Sequence, residues 1–122
     1  MAARKKRPVK ARWKPKKRGV PNTLEQRHRD TVIADGIKSG EYVDCLYEAI
    51  SFSISHNDTR IVYTPDWIIL RADGELEVHE VKGAVYRGDS RLRLRLAASR
   101  YYWLTWKAYV YTGNKPPKVE EL

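Results

Sequence analysis

The sequence predicts a single α/β domain with the element order αβββαβ and a mixed four-stranded sheet flanked by helices. A capped helical segment precedes three strand-like runs, and a second helical segment is followed by one more strand-like run. A chain of 122 residues can bury one modest core and is too short for two. We therefore expect one domain at 21–113, between a disordered basic tail (1–20) and a polar C-terminal tail (114–122).

The first helix is predicted from about residue 22 to about residue 38, where a Ser-Gly pair would end it. Its apolar periodicity is irregular, so the prediction depends on its two ends. Two residue pairs can form a capping box at its start: Asn22 with Glu25, or Thr23 with Gln26.

Three strands are predicted next, at about 44–54, 61–71 and 75–82. A polar turn at 55–58 separates the first strand from the second. The second and third strands would form a hairpin through Asp73 and Gly74, since an Asp-Gly pair favours a tight turn.

Residues 91–96 read RLRLRL, a period of two that is typical of a strand. They continue into Ala-Ala-Ser-Arg, however, and Asp89 or Ser90 can cap a helix whose Arg and Leu residues favour that structure. We predict a helix over 90–102 and a last strand over 106–111.

The formal net charge of +9 is concentrated at the N-terminus. Residues 1–18 contain ten of the 24 Lys and Arg residues and no acid, so the rest of the chain has fourteen basic residues against fifteen acids. Such a tail has little to bury, and we expect it to bind a phosphate backbone in a salt-dependent way. Trp13 can stack on a base. A role in solubility or localisation alone is the alternative.

No segment has the apolar region of a signal peptide or enough apolar residues to span a membrane. Cys45 is the single cysteine, which excludes an intramolecular disulfide and a Cys/His zinc cluster. We expect an intracellular protein with neither a membrane partner nor a small-molecule cofactor.

Residues 63–83, YTPDWIILRADGELEVHEVKG, contain the most informative pattern. Asp66 lies near the start of the predicted hairpin, and Glu80 and Lys82 share one face at its end. Hard cations such as Mg²⁺ bind carboxylate oxygens and activate water, and a nearby lysine can stabilise charge on a phosphate. The alternative is a strand-end aspartate beside a surface ion pair of Glu80 with Lys82.

Strand register makes this pattern testable. A two-residue loop at 73–74 would place Asp66 opposite Val81, so that the aspartate would face away from Glu80. A joint site therefore requires an odd-length loop, such as 73–75, or a bulge at the proline before the aspartate.

The string YTPDW…VHEVKG, followed by GDSRLRLRLAAS, resembles the PD-(D/E)XK nuclease superfamily. Restriction enzymes, Holliday-junction resolvases and phage endonucleases belong to that superfamily, and the extended string is similar to its small phage-associated endonucleases. The resemblance covers nearly all of residues 22–112. It implies a restriction-endonuclease-like core.

By this resemblance Asp66 and Glu80 would hold Mg²⁺ with the carbonyl of Val81, and Mn²⁺ would substitute for it. Lys82 would orient or activate the attacking water. Glu25 would match an acid on the first helix of the superfamily and contact a second metal or its water; alternatively, it only completes the capping box.

The resemblance also implies that arginines of the second helix hold DNA, and the charge of the basic tail, which lies outside the resemblance, predicts the same for the tail. Second-helix positions 93 and 95 are often lysine in such proteins and are arginine here, which keeps the charge for phosphate contacts. The residues expected to contact DNA are Arg91, Arg93, Arg95, Lys5, Lys6, Arg7, Lys16, Lys17 and Arg18.

The implied function is that of a divalent-metal-dependent endodeoxyribonuclease that leaves 5′-phosphate and 3′-hydroxyl ends, with branched DNA as one substrate class. A junction resolvase, which would act as a symmetric homodimer, and a nonspecific nickase both fit. A phage-encoded enzyme would work in the cytoplasm of a bacterial host. The alternatives are a non-catalytic nucleic-acid-binding or packaging protein on the same scaffold, and an RNA-binding protein that acts through its tail.

The remaining histidines and aromatic residues receive structural roles. His79 points away from Glu80 on an ideal strand, so we expect it to be structural or to support a neighbouring site residue, in preference to acting as a general base. No role is assigned to His28 or His56. An aromatic cluster is expected to be core and sheet surface in preference to a base-stacking platform: Tyr101, Tyr102, Trp103, Trp106, Tyr109 and Tyr111.

Overall fold

The computed structural model describes residues 19–55, 57, 59–84 and 88–122. These residues form two helices, a mixed five-stranded sheet and a separate two-stranded hairpin, which confirms the predicted α/β class. The N-terminal helix consists of α1 (Thr23–His28), a π-helical segment (Arg29–Ile33) and α2 (Ala34–Ser39). The second helix is α3 (Asp89–Arg100).

The strands are β1 (Tyr42–Tyr47), β2 (Phe52–Ser53), β3 (Val62–Tyr63), β4 (Trp67–Arg71), β5 (Leu76–Gly83), β6 (Thr105–Tyr111) and β7 (Lys118–Glu121). The large sheet has the order β1-β4-β5-β6-β7, and β2 pairs with β3. Strands β5 and β6 are parallel, because α3 carries the chain back between them, and the other neighbours are antiparallel.

Local signals set both ends of the N-terminal helix. The side chain of Asn22 accepts a hydrogen bond from the Glu25 amide (2.9 Å), and the Glu25 carboxylate accepts one from the Asn22 amide (3.3 Å). Gly40 ends the helix with a φ of 82°, a conformation that costs glycine little. The predicted helix and the Asn22–Glu25 capping box are confirmed.

Two predicted strands are wrong in their extent. The strand predicted over 44–54 divides into β1 and β2, and the one over 61–71 divides into β3 and β4. Pro65 lies in the second break; it has no N–H to donate to a ladder, so it ends β3 and starts a new pairing. Of the turn predicted at 55–58, His56 and Asp58 lie outside the described residues.

The predicted four-stranded sheet lacks one strand. Residues 114–122 were expected to be a polar tail, but β7 lies within them and pairs antiparallel with β6. The sequence KVEE has a weak strand signal because an edge strand is largely solvated. Its pairing partner, and not its own composition, makes it a strand.

The helix predicted from RLRLRL is confirmed as α3, and the strand predicted after it as β6. Leu94, Ala97 and Ala98 of α3 are buried against one face of the sheet, together with Val78 of β5. The N-terminal helix covers the opposite face, where Ile33 is among the core residues. The sheet is therefore covered by a helix on each face.

The β4–β5 register places the hairpin residues. Trp67 pairs with His79 and Leu70 with Leu76, and the Arg71 amide donates to the carbonyl of Glu75 (2.9 Å). The loop therefore has three residues, 72–74, which confirms an odd-length loop but not the expected 73–75. Continued by one residue, this register places Asp66 opposite Glu80.

Candidate active site

A cleft of about 430 Å³ opens where the start of β4, the end of β5 and the first turn of α3 meet. Most of its polar lining comes from the hairpin and from α3. The lining residues are Glu48, Val62, Tyr63, Thr64, Asp66, Glu80, Lys82, Asp89, Ser90 and Arg93.

Asp66 and Glu80 contribute two well-buried carboxylates, with exposed fractions of 8% and 4%. Asp66 Oδ2 accepts a hydrogen bond from the Val81 amide at 2.8 Å, which holds the carboxylate against β5. The carbonyl of a strand residue points to the same side as its amide, so that of Val81 is also directed toward β4. Carboxylates buried to this extent require positive charge nearby.

Lys82 is the hairpin cation in the cleft. Its Nζ lies 3.9 Å from Glu80 Oε1, and its side chain is 27% exposed. The amine therefore remains accessible to a ligand in the cleft. Glu80 and Lys82 therefore form the ion pair considered as the alternative, but the Glu80 side chain is only 5% exposed and lines the cleft.

Glu25 reaches the same region from the start of α1. Carboxylate oxygens of Glu25, Glu48 and Asp66 all lie within 4.8 Å of one another, and we call these three residues the acidic cluster. Glu25 also accepts hydrogen bonds from the Tyr47 hydroxyl, at 3.0 and 2.8 Å, in addition to its capping bond. Capping the helix and facing the acidic cluster are thus compatible roles for one buried side chain.

Sequence reasoning missed Glu48. It follows β1 directly, with a φ of 48° that is uncommon for a residue other than glycine. Its amide donates to the carbonyl of Asp66 at 2.8 Å, which ties the end of β1 to the start of β4. An acid at a strand end was the one signal available, and many surface acids share it.

The acidic side chains suit a hard divalent cation. Mg²⁺ prefers oxygen ligands and binds through one or two carboxylates, with water completing its octahedron. Asp66 belongs to the acidic cluster with Glu25 and Glu48, and it lines the same cleft as Glu80. The donors that the structure brings together therefore fit Mg²⁺ or Mn²⁺ and do not resemble a zinc site.

The three predicted arginines of α3 separate onto different faces. Arg93 lines the cleft, whereas the guanidinium groups of Arg91 and Arg95 lie 3.3 and 3.4 Å from the carboxylate of Glu120 on β7. Residues 91 and 95 are four apart and share a helix face, and residue 93 lies across from them. The structure thus brings Arg93 alone of the three into the cleft.

A buried polar chain crosses the opposite face of the sheet. His28 Nδ1 lies 2.6 Å from the Tyr111 hydroxyl, its Nε2 lies 3.0 Å from His79 Nδ1, and His79 Nε2 lies 2.8 Å from Glu77. A carboxylate only accepts, so His79 donates to Glu77, His28 donates to His79, and Tyr111 donates to His28. The expected structural role of His79 fits this position. His28, to which the sequence assigned no role, is a buried member of the same chain.

Burial sets the charges in this chain. Desolvation and then the neighbouring His79 lower the pKa of His28 to about 3, and burial also lowers the pKa of His79. Burial alone would raise the pKa of Glu77, but hydrogen bonds from His79 and Lys107 outweigh it and lower that pKa to about 2. Two neutral imidazoles thus connect the N-terminal helix to an ionised Glu77.

Six predicted DNA contacts are outside the described residues: Lys5, Lys6, Arg7, Lys16, Lys17 and Arg18. Within the described residues, no helix is long and apolar enough to cross a membrane.

No protein-family model and no curated protein matches the chain. Among solved structures, it is similar to the crystal structure of SSO0001, with 18% sequence identity and a TM-score of 0.43. The match covers 80% of this chain and 50% of that one, so this chain spans about half the length of SSO0001. A similarity this distant assigns neither a family nor a function.

Proposed function

We propose that the protein is a divalent-metal-dependent endodeoxyribonuclease that hydrolyses DNA phosphodiester bonds. The observation that supports this is the odd-length hairpin loop, because it brings Asp66 and Glu80 to one side of the sheet with Lys82. With a two-residue loop, Asp66 would face away from Glu80 and the three residues would not share one side of the sheet.

Asp66, Glu80 and the carbonyl of Val81 would hold the cation, with Glu25 and Glu48 beside them. When bound, Mg²⁺ supplies Lewis-acid stabilisation of the phosphate and lowers the pKa of a coordinated water. Lys82 would orient the attacking water and offset negative charge on the phosphate.

The cleft also offers contacts for the rest of the substrate. Arg93 would pair with a phosphate next to the scissile bond, since a guanidinium matches phosphate oxygens in a bidentate way. Ser90, in the first turn of α3, would donate a hydrogen bond to the same backbone. The basic tail would add salt-dependent affinity that carries no sequence information.

Cleavage assays on supercoiled plasmid and on a synthetic four-way junction test this proposal. Each substrate is incubated with Mg²⁺, with Mn²⁺ and with EDTA. We expect metal-dependent cutting that Asp66→Asn, Glu80→Gln and Lys82→Gln reduce by about 100-fold or more, while DNA affinity in EDTA stays within a few-fold. The preferred substrate separates a resolvase from a general nickase.

Asp35→Asn is the matched control, because Asp35 is an exposed aspartate on α2 and should leave cutting unchanged. Asp66→Asn also separates the enzyme from a contaminating nuclease. Equal cutting by Asp66→Asn and the parent would overturn the proposal. Salt-sensitive binding with no cutting on either substrate would favour a non-catalytic DNA-binding protein.

A further inference from the structure

The turn after α3 exposes two large aromatic side chains. Tyr102 is 79% exposed and Trp103 is 62% exposed, whereas Trp106, Tyr109 and Tyr111 of the same expected cluster are buried. The prediction that this cluster is core and sheet surface therefore holds for these three strand residues, whereas Tyr102 and Trp103 lie exposed in a turn. Phenol and indole rings with such large solvent-exposed fractions suggest a binding surface.

These two rings sit on a rigid support. The neighbouring Tyr101 donates its hydroxyl to the carbonyl of Ser53 at 2.8 Å, and its own carbonyl accepts from the Trp106 indole at 2.8 Å. Trp103 makes edge-to-face contacts with the rings of Tyr101 and Tyr102, both at 5.5 Å between centroids. A ring held this way loses little conformational freedom when it binds a flat partner.

Two arginines extend along α3 from the cleft to the turn that carries these rings, where the Arg100 guanidinium lies 6.0 Å from the centre of the Tyr101 ring. Arg93 and Arg100 are seven residues apart and therefore share one face of α3, about 10 Å apart along its axis. In the part of the chain that the structure describes, neither guanidinium pairs with a carboxylate, in contrast to Arg91 and Arg95. Ten ångströms corresponds to the rise of roughly three nucleotides along the axis of a stacked strand, at about 3.4 Å each.

We propose that Arg93, Arg100, Tyr102 and Trp103, here called the α3 surface, bind a few unpaired nucleotides that adjoin the scissile bond. The arginines would contact the phosphates and the rings would stack on the bases, the combination that single-stranded DNA needs. This rests on the proposed function, since it takes DNA to occupy the cleft. It names the substrate class: a duplex with a single-stranded segment beside the cut.

A second copy of the chain fits the α3 surface less well. Leu92 and Leu96 on the outer face of α3 are exposed and could pack on a neighbour. A twofold α3–α3 contact, however, would bring the arginines of one copy (Arg93 and Arg100) close to those of the other copy. Like charges across an interface are unfavourable, whereas a polyanion satisfies them.

The test compares a blunt hairpin duplex with the same duplex carrying a four-nucleotide 5′ or 3′ tail. Affinity is measured by fluorescence anisotropy of labelled DNA in EDTA, so that cleavage plays no part. We expect one tail to tighten binding about tenfold, and Tyr102→Ala with Trp103→Ala to remove that gain without changing affinity for the blunt duplex. Trp103→Phe, which keeps a ring, should retain most of it.

Val43→Ala is the matched control, because Val43 is an exposed apolar residue on β1. In a Trp13→Phe background, Trp103 emission should be quenched by the tailed duplex, since Trp67 and Trp106 are buried. The inference is overturned if neither tail tightens binding, or if the alanine variants keep the full gain. A parent dimer that Trp103→Ala converts to a monomer in sedimentation velocity would also overturn it.

The two proposals fail separately. A tail preference in EDTA without metal-dependent cutting would retain the α3 surface and reject the nuclease. Cutting that depends on Asp66 without any tail preference would retain the nuclease and reject the α3 surface.

Discussion

The side chain of Glu48 reaches the acidic end of the cleft because its backbone adopts the left-handed region, at a φ of 48°. That conformation costs a residue with a Cβ on the order of 1 kcal/mol or more. The amide of Glu48 hydrogen bonds to the carbonyl of Asp66, which holds the conformation in place. The backbone of Glu48 keeps this unfavourable conformation next to Glu25 and Asp66, which supports a role for Glu48 in holding a cation.

Glu48→Gln tests that role. The substitution preserves shape but removes the charge, so we expect metal-dependent cutting to fall about 10- to 100-fold, the usual effect of residues that support metal ligands. Initial rates are compared over a range of Mn²⁺ concentrations, where a weakened site requires more metal. Glu75→Gln, at an exposed position in the hairpin, is the control. Identical metal titrations for Glu48→Gln and the parent would rule out the role.

Arg93 and Arg95 have the same chemistry in different surroundings. Arg93 faces the cleft and Arg95 faces Glu120, so Arg93→Ala should weaken DNA binding more than Arg95→Ala. We also expect Arg93→Ala to lower the slope of log affinity against log salt by about 1, since one phosphate contact is lost. Equal losses in the two variants would contradict the assignment of Arg93 to the cleft.

The N-terminal helix and β5 are joined by the His28–His79 hydrogen bond. His28 lies one turn after Glu25, and His79 immediately precedes Glu80, so this contact ties the helix that carries Glu25 to the strand that carries Glu80. The π-helical segment begins directly after His28. Such segments are frequent where a helix must adjust locally to place functional residues.

This junction makes folding sensitive to pH. The pKa of His28 is about 3 in the folded state against 6.5 in an unfolded chain, so the unfolded chain binds more protons between these values. Its contribution to stability is fully present above pH 6.5 and is lost as the pH falls toward 3. The slope from this residue is at most about 1.4 kcal/mol per pH unit.

Urea unfolding at pH 7, 6 and 5 measures the effect. We expect His28→Gln to be less stable than the parent at pH 7, because a buried hydrogen bond is altered, and to lose less stability between pH 7 and pH 5. Parallel loss in both proteins would show that His28 does not titrate on unfolding.

At the scale of the whole molecule, charge is divided between the tail and the fold. Residues 1–18 contain ten basic residues and no acid, and the remainder of the chain is nearly neutral. The cleft itself is lined by four acids, which repel DNA until a cation is bound. Initial attraction to DNA therefore depends on the tail and on α3.

Deletion of residues 1–18 should weaken DNA binding and flatten its salt dependence, because fewer counterions are released. The midpoint of thermal unfolding should stay unchanged. Affinity at several salt concentrations, measured on the Asp66→Asn background to prevent cutting, checks the first effect. An unchanged salt slope would mean that the tail does not contact DNA.

Much of the fold was predictable because its signals are local. The capping box, Gly40, the β5 strand and α3 each follow from a few neighbouring residues. Asp66, Glu80 and Lys82 were candidates because their spacing on a hairpin is a local property as well. The fifth strand was not predictable, since β7 acquires its structure from the edge of β6.

By itself the sequence determined which residue types were available: two acids and a lysine on a hairpin, an acid at a helix start, and basic residues on a helix and in a tail. The tertiary structure alone decided which of them meet. The hairpin could have turned in two residues or three, and the three-residue loop brought Asp66 to the side of Glu80. Glu48, the His28–His79 contact and the separation of Arg93 from Arg95 all arise between residues distant in sequence. Such contacts depend on how strands pair and helices pack, and no local pattern encodes them.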